Sequence, residues 1–149
     1  MSQQNRPRQP QQVLTTVWAA GPQDIAISSH DDHWNSWVAV RVGQVVTYAV
    51  GLEAPESIAR IWTVAEERAA AFLPLTSPAL PQVDGPSVVV RLTGEQANKD
   101  RAFPYDGRAS SGYIVIGGIL WRPVDCIALT GIADAWRRAA AIARALTGS

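Results

Sequence analysis

Two histidines and two carboxylates fall within four residues, His30-Asp31-Asp32-His33, a composition able to ligate a divalent cation. No matching distant Cys or His accompanies them. Ser, Thr, Asp and His gather in loops because their side chains bond to nearby backbone, so the cluster reads as a polar loop and no metal is expected. Ser28 or Ser29 supplies a hydroxyl beside this His and Asp, but no Gly-x-Ser-x-Gly elbow presents it, which argues against a hydrolase. Gly117-Gly118 sits inside a hairpin pattern and not between a strand and a helix start, so it is a turn and not a dinucleotide loop. Cys126 stands beside the start of a helical stretch, where the helix dipole favours a thiolate, yet no His is near it in sequence. It reads as a small buried residue. No acid, base and nucleophile converge, so the expectation is a protein with no catalytic residues, no cofactor and no enzymatic activity.

A different kind of chemistry is carried by arginines and aromatic rings on strands. Val38, Val40, Val42, Val45, Thr47 and Ala49 share one face of a hairpin turning at Gly43-Gln44, and Trp37, Ala39, Arg41, Val46, Tyr48 and Val50 share the other. Tyr113, Val115, Leu120 and Arg122 hold the matching positions of a second hairpin. This second face mixes rings, aliphatics and arginine, and it calls for a partner. Single-stranded nucleic acid is bound by aromatic platforms supplemented by arginines that meet phosphates. Trp37, Arg41, Tyr48, Tyr113 and Arg122 supply both ingredients, and Arg91, Lys99 and Arg101 extend the track. The alternative for the same face is a dimer or inter-sheet core with arginine stems packed flat.

These residues are positioned by two similar programmes of elements. Residues 1–12 are rich in Gln, Pro and Arg without apolar periodicity and read as a disordered tail. Strands are expected over Val13–Ala20 and Asp24–Ser29, joined as a hairpin through Gly21-Pro22, then over Trp37–Val42 and Val45–Val50. Pro55 suits a first helical turn, and Ile58, Trp62, Ala65, Ala69 and Phe72 recur at helical spacing. A Pro-rich linker spans residues 74–86. The programme then restarts with strands over Ser87–Leu92, Lys99–Phe103, Tyr113–Ile116 and Ile119–Val124 and a helix over Ile127–Leu146. Trp62 and Trp136 lie mid-stripe on their helices, where a core role is favoured over ligand stacking. Phe103-Pro104-Tyr105-Asp106-Gly107-Arg108 is a turn-rich loop suited either to stacking on a partner or to covering the core.

The two halves, residues 13–73 and 87–147, align without a gap at an offset of 74, which superposes Gly43 on Gly117, Ile58-Ala59 on Ile132-Ala133 and Trp62 on Trp136. The expected fold class is therefore α+β: two tandem ββββα units in one domain over 13–149, antiparallel sheets packed with two amphipathic helices, and pseudo-two-fold symmetry. This architecture resembles that of the Whirly and PUR families of single-stranded DNA and RNA binding proteins, over Val13 to Thr147. The resemblance implies strands that present aromatic and basic side chains to unstacked bases, with helices behind the sheets or mediating assembly. The Lys-Gly-Lys-Ala-Ala-Leu signature of Whirly proteins is absent, and the second strand reads Asp24-Ile25-Ala26-Ile27-Ser28-Ser29 without lysine.

Composition bounds the partner. At 149 residues the chain suits one domain able to bury a core without disulfides, and its single cysteine, lack of a signal peptide and lack of a long apolar run suggest a cytoplasmic protein with no membrane role. Thirteen basic residues balance thirteen acidic ones, so any nucleic-acid site arises from local charge placement. Basic residues are nearly all arginine, which favours flat or bidentate contacts. The functional expectation is a homo-oligomeric binder of single-stranded DNA or RNA. Its rival is a protein-interaction module, such as a chaperone, an immunity protein or a phage or plasmid accessory factor, suited by zero net charge and hairpins apolar on both faces. Abundant alanine on both helices, Ala69-Ala70-Ala71 and Ala139-Ala140-Ala141, predicts close helix–helix contact within the chain or between subunits.

Overall fold

The computed structural model describes residues 15–32, 35–77, 87–97, 100–102 and 112–147. Among these, the strands are β1 (Thr15–Ala19), β2 (Ile25–His30), β3 (Trp37–Val42), β4 (Val45–Val50), β5 (Val88–Leu92), β6 (Arg101–Ala102), β7 (Ile114–Ile116) and β8 (Ile119–Pro123). The helices are α1 (Glu53–Ala69), α2 (Gly94–Ala97) and α3 (Cys126–Leu146). Two four-stranded sheets result, ordered β2-β3-β4-β5 and β1-β8-β7-β6, each antiparallel but for one pair.

The β3–β4 hairpin forms where the alternating valines and Gly43-Gln44 place it. Gly43 has φ +59° and Gln44 a negative φ, the pattern of a II′ turn, whose twist suits a two-residue hairpin. Val38, Val40, Val42, Val45, Thr47 and Ala49 are all buried, and the opposite set is half-buried except for Ala39, so the register of faces is the one the alternation predicts. The β7–β8 turn differs: Gly117 and Gly118 both have positive φ, at +60° and +85°. A Cβ on Gly117 would lie 2.6 Å from Val90 Cγ1, so this turn of one sheet is pressed against β5 of the other.

The expected β1–β2 hairpin does not form. β1 pairs in parallel with β8, in register Thr15 with Ile119 and Trp18 with Arg122, while β2 pairs with β3 in the other sheet. β5 likewise pairs in parallel with β4, Tyr48 opposite Arg91. Gly21, at φ +68°, turns the chain, but the turn carries it from one sheet to the other instead of folding it back. Each sheet thus takes one edge strand from the other half of the sequence.

The helices occupy the inner faces. α3 lies on β2 and β3, α1 packs against β4, β6 and β7, and the two helices pack on one another within the chain. Trp62 is fully buried and meets Trp121 edge-on, with ring centroids 5.7 Å apart; Trp136 is buried as well, so both take the core role. Ala65, Ala69, Ala139, Ala140 and Ala143 are buried, which uses much of the alanine surface inside the monomer. Phe72 departs from its expected place on the stripe: α1 ends at Ala69, Pro74 disfavours helix at the residue before it, and Leu73 is buried while Phe72 is exposed.

Asp125 ties three segments together. As the N-cap of α3 its Oδ1 accepts from Ala128 N at 2.8 Å, and its Oδ2 accepts from Gly21 N at 2.8 Å and Ser77 N at 3.1 Å. Asp125 is 0% exposed, and its carboxylate satisfies one donor of the first turn of α3 and two backbone donors of the segments beside it. Residues 74–77 of the expected linker therefore run along the start of α3, with Cys126 N donating to Pro74 O at 2.8 Å. Residues 78–86, like the tail and the Phe103–Arg108 loop, lie outside the described residues. Cys126 is half-buried, not fully buried, and its thiol lies 3.5 Å from Leu73 O.

Between the helices, Arg137 donates to Glu66 Oε1 at 2.9 Å, to Thr63 Oγ1 at 3.1 Å and to Asp134. The hydrogen bond to Glu66, and then that to Asp134, hold its guanidinium above the ordinary arginine value, so it stays charged across the accessible pH range. No helix among the described residues is long and apolar enough to cross a membrane.

Candidate nucleic-acid interface

The faces of the sheets turned away from the helices carry the residues singled out in the sequence. On the first sheet, register places Arg41 opposite Ala26 and Val46, Ala39 opposite Ser28 and Tyr48, and Trp37 opposite His30 and Val50. Arg91, exposed on β5, stands opposite Tyr48. His30, Trp37, Tyr48 and Arg91 therefore form an oblique line, one residue per strand. Strands are spaced about 4.8 Å apart, so the line runs for about 14 Å across the sheet. His30 stacks on Trp37 with centroids 5.6 Å apart and planes at 23°, and Trp37 meets Tyr48 edge-on at 5.0 Å. Such offset and edge-to-face pairs hold rings in fixed orientation.

Arg41 sits differently. Its Nη1 is 3.2 Å from Asp24 Oδ2 and donates to Gly43 O at 3.0 Å, which ties it to the hairpin turn and partly neutralises it. Arg91 has no such ion pair among those of the described residues. It is the cation of this face best placed for an incoming anion.

On the second sheet, the outward residues of β8 are Leu120 and Arg122, flanked by Val115 on β7 and by Thr16 and Trp18 on β1. The Arg122 guanidinium lies 5.4 Å from the ring centroid of Trp18 and 5.4 Å from that of Tyr113, a cation held between two rings. Arg101 is placed on β6 opposite Val115 by backbone register, and Lys99 lies outside the described residues. The predicted residues thus divide between two surfaces: Trp37, Arg41, Tyr48 and Arg91 share one, and Tyr113, Arg122 and the Arg101 backbone position share the other.

Two residues that belong to these faces escape sequence reasoning. Trp18 is 51% exposed and partners Arg122, a position set by the non-local parallel pairing of β1 with β8. His30 stands at the end of β2 and not in a loop. Its Nε2 is 3.1 Å from Asp32 Oδ2, Asp32 Oδ1 accepts from Asn35 N at 2.7 Å, and Ser36 Oγ donates to Asp31 Oδ1 at 2.9 Å. The local carboxylates are engaged with neighbouring polar groups, as a polar turn requires. A signal for both residues existed in the alternation of β1 and β2, which points Trp18 and His30 away from the core.

Compared with known proteins, the chain matches no family model, and no curated protein or solved structure is similar enough to count as a match.

Proposed function

We propose that this protein binds single-stranded nucleic acid through the outer faces of its two sheets. The observation that carries the reading is the row His30–Trp37–Tyr48–Arg91, which crosses all four strands of one sheet with rings in mutual contact and an exposed arginine at its end. Rings accept unstacked bases whatever their identity, and arginine meets the phosphates between them. Net neutrality is compatible with this, because the charge that matters is local and the stacking term does not depend on it.

The reading extends to the architecture. We take the molecule to be a duplicated ββββα unit with pseudo-two-fold symmetry, the repeat by which it resembles the Whirly and PUR families, and one whose first strands are exchanged between halves. Supporting this are the reciprocal parallel pairs β1–β8 and β4–β5, and the hydrogen bond from Arg137 to Thr63, residues related by the same offset of 74 that superposes the two halves.

A protein partner is the second reading. Val89 is 65% exposed on β5 opposite the half-exposed Val46, Val50 is half-exposed at the far end of β4, and Asp24 offsets Arg41, which makes part of the first face apolar with mixed charge. Fluorescence anisotropy on labelled single-stranded oligonucleotides separates the two. Nucleic-acid binding predicts micromolar or tighter affinity at low salt that weakens as salt rises. Absence of binding, or binding indifferent to salt, overturns it in favour of a protein.

A further inference from the structure

We propose that His30 is the terminal stacking residue of the first sheet's track, the ring on which the last base of a bound single strand rests; this rests on the reading of that face as a nucleic-acid site. Trp37 is the larger ring, but it is half-buried and engaged by two neighbouring rings. His30 covers one of its faces, and the edge-on contact with Tyr48 fixes it laterally. Trp37 is thereby a pillar that supports its neighbours.

His30 has the complementary surroundings. Its side chain is 50% exposed, one ring face rests on Trp37, and Nε2 is held by Asp32, whose other oxygen is anchored by the Asn35 amide. A ring pinned at its back and edge is preorganised, so a base stacking on it does not have to order it first. Charge gives the track a direction. Asp31 and Asp32 stand beside His30, and Arg91 stands at the other end, so a phosphate is repelled from the first and attracted to the second. The bound strand places a base, not a phosphate, at the His30 end.

The choice of substitution matters, because His30→Ala would uncover Trp37 and let that ring take the base instead. His30→Leu keeps Trp37 covered with an aliphatic group, and His30→Phe keeps it covered with a ring. Anisotropy on a labelled single-stranded DNA oligonucleotide should show His30→Leu weakened about 5- to 20-fold, toward the lower end of the stacking range per base. His30→Phe should stay within about two-fold of wild type, and neither should alter the salt dependence, whereas Arg91→Ala should reduce its slope by about one. Far-ultraviolet circular dichroism and a common melting temperature confirm that the variants are folded. Wild-type binding with His30→Leu unchanged overturns the role of His30 and leaves the site; so does a His30→Phe variant as weak as His30→Leu. If wild-type protein binds no oligonucleotide, both the role and the site fall.

Discussion

Asp125 illustrates how a single buried charge organises this molecule. Its carboxylate accepts from the first turn of α3, from the Gly21 turn after β1 and from Ser77, so it fixes the helix start, the crossover between sheets and the segment that follows α1 at one point. Replacing it by alanine removes a helix cap and orphans two further backbone donors, and should cost about 2–4 kcal/mol in chemical denaturation, with Asp125→Asn costing less. The two hairpin glycines separate conformational strain from steric contact. Gly43→Ala meets open space and bears only the left-handed backbone cost, about 1 kcal/mol. Gly117→Ala bears that cost and also drives a methyl into Val90 and Leu92, so its loss of stability should be clearly larger, at about 2 kcal/mol or more. Equal effects at the two positions would contradict the close approach of the β7–β8 turn to β5.

Elements whose partners are adjacent in sequence were legible, and those whose partners are remote were not. Alternation of valines about Gly43 specifies β3 and β4 and the face each residue takes, because strand period and turn chemistry are local. The stripes of α1 and α3 are equally local, and the start of α3 falls one residue from its expected position. Parallel pairing of β1 with β8 joins residues more than a hundred positions apart, and neither strand carries a record of the other. Adjacent strands pair so often that a hairpin was the natural reading. That one missed pairing also hid Trp18, and with it the cation–ring stack on the second sheet. Of the alanines expected to form close-packing surfaces, Ala69, Ala139 and Ala140 are buried, and α1 and α3 pack on one another within the chain, whereas Ala70, Ala71 and Ala141 are exposed. Ala140 is 7% exposed and Ala141 is exposed, so Ala140→Glu should destabilise the monomer by about 3 kcal/mol or more, while Ala141→Glu should stay within about 0.5 kcal/mol of wild type. Thermal melts of the two variants provide the check.

At the level of the whole molecule, the exchanged edge strands make the two halves interdependent. Each sheet is completed by a strand from the other half, and each helix reaches strands contributed by the other half. Fragments divided between residues 78 and 86 should therefore lack stable structure separately and regain the native circular dichroism when mixed or coexpressed, as long-range pairing is supplied in trans. Independent folding of either fragment would show that its sheet tolerates the missing edge. With basic and acidic residues in balance, net charge supplies no long-range attraction for polyanions, so the proposed binding of nucleic acid rests on short-range contacts at the sheet faces. Replacing Tyr48 by alanine should then cost about 1–3 kcal/mol of affinity, read by anisotropy, with little change in salt dependence.

Nuclear magnetic resonance titration of the isotopically labelled protein with a short single-stranded oligonucleotide tests the central claim most directly, because it reports where the ligand sits as well as whether it binds. The expected result is a set of shifts confined to the outward faces of the sheets, strongest at the rings of His30, Tyr48 and Trp18 and at the side chain of Arg91, with the buried rings of Trp62 and Trp136 unmoved. An unchanged spectrum at saturating oligonucleotide, or shifts confined to the α3 groove lined by Gln23, Gly131, Arg138 and Ala141, would contradict the assignment of these faces as the nucleic-acid interface.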